Sequence, residues 1–324
     1  MNSFKFIYSN CIDPFFNIAS EEYLLKQTDG FYIYLWQNSP AVIIGNNQNT
    51  LLEVNLGYAK NNNVSVVRRL TGGGAVYHDL NNVCYTIIAP FNSSENNYVK
   101  FTKPVIDFLD SLGVKATFSG RNDITIGDKK ISGNAQVVYK DRIMHHGTLL
   151  FNSDLDVLSK VLLENKLKTQ SKGIKSNRAR VTNIKNHLKK DLTCKEFLSL
   201  LCDYFKKHLK EYTFTEKDVE SIDKLTKEKY STYEWNIGKS PIGKNRLDYR
   251  FSFGTTTFTF DLVKGKIENA QIYGDFFASG DLSEFSARLN GKYFTYDELF
   301  DAFLGIENLI VGASAKEIVD KLFE

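Results

Sequence analysis

Through the first half of the chain, apolar positions come in short blocks separated by glycine, asparagine and serine. Phe31 to Trp36, Ala41 to Gly45, Val64 to Val67 and Val83 to Ala89 are aromatic and β-branched runs, a pattern that predicts strands. Val114 to Phe118, Asp123 to Ile126, Ile131 and Gln136 to Tyr139 extend the series, with Gly127-Asp128 as a hairpin turn between two of them. Between these blocks the period changes. Phe101, Val105, Phe108, Leu109 and Leu112 fall on one face of a helix, and further helical patterns cover Leu155 to Leu163, Thr193 to Lys210 and Glu216 to Tyr230. Strands and helices mixed without regular alternation predict an α+β chain with mixed or antiparallel sheets rather than a doubly wound parallel sheet.

The pattern restarts after a turn-rich stretch from Ile237 to Asn245, which holds Gly238, Pro241 and Gly243. Phe251 to Phe253, Thr256 to Val263 and Lys266 to Tyr273 read as a meander whose last two strands join at Lys264-Gly265. Helices follow at Ser283 to Leu289, Tyr296 to Phe303 and Ala315 to Phe323. Two units are expected, residues 1–243 and residues 249–324. The second is small but within the range for a domain.

Composition narrows the class. Of 324 residues, 42% are hydrophobic and 24% charged, ordinary globular values that exclude wholesale disorder. No apolar run is long enough for a membrane span, and the opening residues lack the apolar core of a signal peptide. Cys11, Cys84, Cys194 and Cys202 form no CxxC pair and no HExxH is present, so neither a disulfide framework nor a zinc site is expected. A cytoplasmic protein with reduced thiols fits this usage. The net charge of +3 hides an asymmetry: −1 over residues 1–159, +10 over 160–210 and −6 over 211–324. A basic stretch this dense attracts phosphates or an acidic protein surface, although on charge alone a solvated helical face is the favoured reading.

The densest chemical signal is the run Arg68-Arg69-Leu70-Thr71-Gly72-Gly73-Gly74-Ala75-Val76-Tyr77-His78-Asp79. Three successive glycines cost entropy on folding, so the backbone there either takes positive φ or approaches something closely. Glycine N–H groups can form an anion-binding concavity, with two arginines as charge-assisted donors. A glycine-rich hairpin with surface arginines is the plainer reading. The run fits neither GxxxxGK[ST] nor GxGxxG, which excludes the P-loop and dinucleotide fingerprints.

Two further clusters follow. SGRND, GDKKISGNAQ and KDRIMHHGTLLFN lie between Ser119 and Asn152. If Lys130 points into a cleft beside the glycine run it can neutralise an α-phosphate or an attacking carboxylate, with Lys129 on the opposite face of the strand; otherwise both are exposed hairpin lysines. His145 and His146 must likewise face opposite ways, leaving one of them structural. Asp123 is a candidate ligand for Mg²⁺ held by nucleotide phosphates. Lys172 to Asn183 mixes glycine, serine and asparagine with cations, as in a loop that closes on a phosphate. No aromatic interleaves with these cations, which argues against nucleic acid.

RRLTGGGAVYHDLNN, GRNDI, KKISGNAQ, HHGTLLFN and KGIKSNRARVTN occur in the order and spacing found in lipoate–protein ligases. The chain resembles the long, two-domain form of that family, since YEWNIG and KGKIENAQIY are similar to the end of its catalytic domain and to its accessory domain. The resemblance covers nearly the whole chain. It implies a catalytic domain related to the biotin ligases and a small α+β accessory domain. It also implies activation of lipoate or octanoate by ATP to an acyl-adenylate with release of pyrophosphate. Transfer to a lysine of an acceptor follows, either a 2-oxoacid dehydrogenase E2 lipoyl domain or the glycine-cleavage H protein.

Carried over motif by motif, Arg69, Gly74, Ala75, Val76, Tyr77, Asn122, Asp123, Lys172, Gly173 and Arg180 would contact the nucleotide or adenylate. Gly73, His78, Gly133, His146 and Gly147 would line the lipoate site. Lys130 would be the essential lysine serving both, and Asp123 would meet Mg²⁺. Tyr77 stands where other members often carry Phe. A monomer without nucleic-acid or membrane partners is expected. Two alternatives remain: an ATP-independent acyltransferase using Cys84 as nucleophile, whose apolar neighbours would raise its pKa, and a binder that holds the adenylate or a carrier without turnover.

Overall fold

A computed structural model describes residues 4–27, 30–163, 181–239, 245–263 and 266–323. The chain is α+β. An eight-stranded mixed sheet is built from β1 (Phe4–Tyr8), β2 (Phe31–Trp36), β6 (Asn82–Pro90), β7 (Thr117–Ser119), β8 (Asp123–Ile126), β9 (Lys129–Tyr139), β10 (Arg142–Leu150) and β11 (Lys210–Glu211). Its strand order is β11-β1-β2-β6-β10-β9-β8-β7. β1 runs parallel to β2 and β11, and the other neighbours are antiparallel. A second sheet sets β3 (Ala41–Ile44) between β4 (Ser65–Arg68), parallel to it, and β5 (Val76–His78), antiparallel.

Helix α1 (Pro14–Lys26) packs against β4, β6 and β10. The Asp13 side chain caps it by accepting from Phe15 N at 2.9 Å, with proline in the first turn. Its buried residues mix Ile18, Ala19, Leu24 and Leu25 with Asn17, Ser20, Glu21 and Glu22, so it has no apolar stripe and the hydrophobic pattern does not reveal it. Short helices α2 (Thr50–Glu53) and α3 (Leu56–Asn61) join β3 to β4, and α4 (Asn97–Ser111) and α5 (Leu155–Val161) follow. Helix α6 (Cys194–Lys206) opens on a Thr193/Glu196 capping box. It buries Phe197 and Phe205 against Phe6, Phe108 and Phe151. Helix α7 (Glu216–Leu225) continues into π-helical turns at Thr226–Tyr230 and Glu234–Gly238.

The C-terminal unit is an antiparallel meander, β12 (Asn245–Phe251), β13 (Gly254–Val263) and β14 (Lys266–Gly274), covered by α8 (Ser283–Leu289), α9 (Tyr296–Phe303) and α10 (Ala315–Leu322). Among the described residues, its apolar core draws only on residues from Leu247 onward, and the other cores only on residues up to Trp235.

Several expectations need correction. Ile131 and Gln136 to Tyr139 belong to one strand of eleven residues, whose polar middle, Ser132-Gly133-Asn134, breaks the apolar pattern. Val114 to Phe118 is a strand only from Thr117. Helix α4 begins at Asn97, capped by Asn96, rather than at Phe101. β12 starts at Asn245, ahead of the expected Phe251. The Gly127-Asp128 hairpin is present, with Gly127 at φ 60°. Lys264-Gly265 lies outside the described residues.

Candidate active site

The glycine run turns between β4 and β5. Gly73 takes φ 89°, the left-handed region that glycine enters without strain. A Cβ on Gly72 would lie 2.5 Å from the Phe276 carbonyl oxygen, and Gly73 N donates to that same oxygen at 3.2 Å. The turn is therefore pressed against the C-terminal unit, by backbone at Phe276 and by the Phe277 ring beside Gly73.

Both arginines before it spend their donors on the protein. Arg69 is buried; its Nε donates to Thr71 Oγ1 (2.8 Å), Nη1 to Ile43 O (2.9 Å) and Nη2 to Gly72 O (2.7 Å) and Gly74 O (2.9 Å). It shapes the glycine turn. Arg68 is fully buried and donates to the carbonyls of Gly45, Asn46, Gln48, Trp235 and Asn236 and to Thr50 Oγ1. Burial pushes both guanidinium groups down to about 10, so both stay charged at neutral pH. The plainer reading of surface arginines fails for both.

Beside the turn is a cavity holding about 620 Å³ of space, part of it open to solvent. Of the residues expected at a site, Arg69, Gly73, Gly74, Ala75, Val76, His78, Asn122, Lys130, Gly133, His146 and Gly147 line it. Lys130, on β9, pairs with Asp123 Oδ1 at 2.7 Å while Lys129 is exposed. Gly133 makes room for it, since a Cβ there would lie 2.8 Å from Lys130 Nζ. Asn122 holds Asn134: its Nδ2 donates to Asn134 O (2.7 Å), and its own carbonyl accepts from Asn134 N and Nδ2. Tyr85 donates from its hydroxyl to Asn134 Oδ1, and Gly147 lies against both side chains.

The histidines divide as strand alternation requires. His145 is buried away from the cavity among Tyr85, Tyr98 and Phe101 and bonds Gln136 Nε2 at 2.8 Å. His146 faces the cavity, with Nδ1 at 2.8 Å from Glu21 Oε1 and Nε2 at 2.9 Å from Thr71 Oγ1. Glu21 also accepts from Thr86 Oγ1, to which Trp36 Nε1 donates. A buried carboxylate from α1 thus orients one wall.

His78 Nδ1 faces Asn38 Nδ2 at 3.2 Å. Burial, with the nearby His146 and Arg69 adding to it, pushes its pKa down to about 3. Cys84 lies beside it, and burial pushes its thiol well above the ordinary range. A thiol held protonated beside a histidine that is too weak a base does not make a nucleophile.

Tyr77 points the other way, into the core with Val42, Ile44 and Ala59, so any contact it makes in this cavity would come from its backbone. Lys172, Gly173 and Arg180 lie outside the described residues. Sequence reasoning passed over Glu21, Trp36, Asn134 and Phe277. Asn134 stood inside a recognised motif, whereas Glu21 had no periodic signal and Phe277 comes from the other unit. Among the described residues no three His, Cys, Asp or Glu side chains group as a metal site, and no helix is long and apolar enough to cross a membrane.

The chain matches the family model for the lipoyl protein ligase A/B catalytic domain over residues 13–206 and that for the bacterial lipoate protein ligase C-terminus over residues 240–322. It is 43% identical over 304 residues to lipoate–protein ligase 1 of Staphylococcus aureus, covering 92% of this chain and 93% of that one. Among solved structures it resembles a bipartite lipoate protein ligase from Thermoplasma acidophilum, studied with its E2 lipoyl domain. There the identity is 30% and the TM-score 0.65, over 76% of this chain and all of that one. A crystal structure of lipoate–protein ligase A bound with ATP aligns with TM-score 0.62 and 28% identity, over 73% and 98% of the two chains.

Proposed function

The chain belongs to the lipoate–protein ligase family, and on that premise we propose that it joins lipoate to AMP and then to an acceptor lysine. In the first step the lipoate carboxylate attacks the α-phosphorus of ATP and pyrophosphate leaves. In the second, the acceptor's lysine amine attacks the acyl carbonyl and AMP leaves. Residues 1–243 would form the catalytic unit and 249–324 the accessory unit. The acceptor would be an E2 lipoyl domain, as named for the Thermoplasma relative, or an H protein.

The observation that carries this reading is Lys130. Its ammonium stands at the cavity wall beside the glycine turn, held by Asp123. Negative charge builds on the α-phosphate as the carboxylate attacks it, and on the acyl oxygen and the departing phosphate as the amine attacks, and a fixed cation there stabilises each transition state more than its ground state. Gly74 and Ala75 would bring backbone N–H groups to the phosphates. The apolar wall of Ile18, Trp36, Ile43, Val76 and Ala135 fits an eight-carbon chain. His78, Gly133, His146 and Gly147 would position the acyl group, and Asn122 would hold the end nearest Lys130.

Asp123 pairs with Lys130 and belongs to no group of three metal-ligating side chains among the described residues, so it suits a Mg²⁺ carried in on the triphosphate rather than a protein-built cage. Such an ion would screen the phosphate charge. A cysteine-dependent transfer has no support in the buried, protonated Cys84.

The test is pyrophosphate release from ATP, Mg²⁺ and lipoate without acceptor. Release that depends on lipoate and is lost in Lys130→Ala supports the reading. No release from the wild type would leave a binder.

A further inference from the structure

We propose that Tyr85, buried in the core behind the cavity, is a positioning residue for nucleotide binding: through Asn134 it fixes Asn122, at the end of the site nearest Lys130. The inference rests on the ligase reading above and adds to it a residue outside the motifs that carry the family resemblance.

Asn134, Gly147 and Tyr85 lie side by side on three adjacent strands, β9, β10 and β6. Side chains directly opposite on neighbouring strands stand about 5 Å apart, so Tyr85 and Asn134 meet by reaching over the residue between them. Glycine allows this. A Cβ at Gly147 would lie 2.7 Å from Tyr85 Cε1 and would collide with Asn134 Oδ1. Tyr85 is fully buried in the core that holds Phe101, Ile131 and Ile143, and its hydroxyl donates to Asn134 Oδ1.

The donors run in one direction. Gln136 Nε2 donates to His145 Nδ1 at 2.8 Å, which leaves the His145 Nε2 proton for the Tyr85 oxygen at 3.4 Å. Tyr85 donates to Asn134, whose Nδ2 donates to the Asn122 carbonyl at 3.0 Å. A carbonyl can accept but not donate, so the order cannot reverse. Asn122 Nδ2 donates back to Asn134 O at 2.7 Å, and the next residue, Asp123, pairs with Lys130. Of these groups Asn122, Asn134 and Lys130 line the cavity. A shift of Asn134 therefore reaches the end of the site assigned to the phosphates, while the apolar wall of Ile18, Trp36, Ile43 and Val76 stays in place.

Tyr85→Phe removes one hydroxyl and leaves Asn134 Oδ1 without that donor. Calorimetric titration of the full-length protein should show Mg-ATP binding weakened on the order of fivefold, the worth of one hydrogen bond of ordinary strength, with lipoate affinity unchanged. In pyrophosphate release, the KM for Mg-ATP should rise by the same factor. Replacing both partners, Tyr85→Phe with Asn134→Leu, removes the orphaned acceptor, so the thermal midpoint should recover toward wild type while Mg-ATP binding stays weak. If the bond serves stability alone, Mg-ATP binding will recover with the midpoint, and that result would overturn the proposal. So would wild-type Mg-ATP affinity in Tyr85→Phe, or equal losses for lipoate and Mg-ATP. Gly147→Ala forces Tyr85 and Asn134 apart without removing either, and should also weaken Mg-ATP binding; it decides the matter if Tyr85→Phe does not fold, since unchanged affinity there overturns the proposal equally. A wild type that binds Mg-ATP but releases no pyrophosphate would sink the ligase reading alone, and the titrations would still decide this one.

Discussion

Lys130 Nζ lies 2.7 Å from Asp123 Oδ1, in space that a side chain at Gly133 would otherwise fill. The three residues come from two adjacent strands, with Asp123 and Gly133 directly paired across β8 and β9. Register therefore sets the cation's position. Lys130→Ala should lower pyrophosphate formation on the order of 10²–10³-fold, the usual loss for a single charge-stabilising donor. Gly133→Ala tests position rather than charge: it leaves the ammonium in place chemically but forces it to move. An unchanged thermal midpoint with adenylation reduced by up to about 10²-fold is expected, and wild-type adenylation in Gly133→Ala would show that the placement is not needed.

Arg68 makes a different kind of prediction. Its guanidinium ties the loop after β3 to Trp235 and Asn236 in the segment leading to the C-terminal unit, with no carboxylate among these partners. Arg68→Ala leaves several buried carbonyls without donors and should cost about 3 kcal/mol or more. Urea unfolding followed by tryptophan emission reads this, because Trp235 Nε1 donates to the Arg68 carbonyl. Arg68→Lys should recover little, since an ammonium cannot span the same fork of acceptors.

Two buried histidines set the acid limit. Burial pushes His78 and His145 down to about 3, whereas in the unfolded chain they titrate near about 6.5. Between those values the unfolded state binds protons that the folded state does not, so stability is lost as pH falls. Each histidine should cost about 2 kcal/mol between pH 6.5 and 5. Urea midpoints at the two pH values should show the loss, and His145→Gln should reduce it. Equal losses in wild type and variant would place the titration elsewhere.

The basic stretch lends itself to a charge reversal. Lys189 and Lys190 are exposed, and Lys185 is half-buried beside Asp191 at 3.1 Å. Changing all three to Glu should slow transfer to an acidic acceptor domain, more strongly at low salt, and leave pyrophosphate formation unchanged. Equal transfer rates would remove this surface from the docking account.

Most strands and the cavity's main walls were legible because glycine runs and alternating apolar residues report local backbone demands, whereas β1, β5 and β11 were not among the expected strands. The sequence hid what depends on tertiary pairing. Helix α1 buries Glu21 and Glu22 alongside Ile18 and Leu24, so no apolar stripe marks it, although Asp13-Pro14 is a readable start signal. Arg68 and Arg69 look alike in sequence, yet both are turned inward onto carbonyls that only the fold supplies. Tyr77 sits in the motif between two cavity residues, and strand alternation sends its side chain into the core. Phe277 carries no local signal, because it reaches the glycine turn only through contact between the units.

The central claim is an ATP-dependent transfer of lipoate through Lys130. Its most direct test is the intact mass of an unmodified lipoyl domain after incubation with the protein and lipoate, with and without Mg-ATP, and with Lys130→Ala in parallel. The account predicts a mass gain of one lipoyl group that requires ATP and disappears in the variant. A gain without ATP, or a gain undiminished in Lys130→Ala, would contradict it.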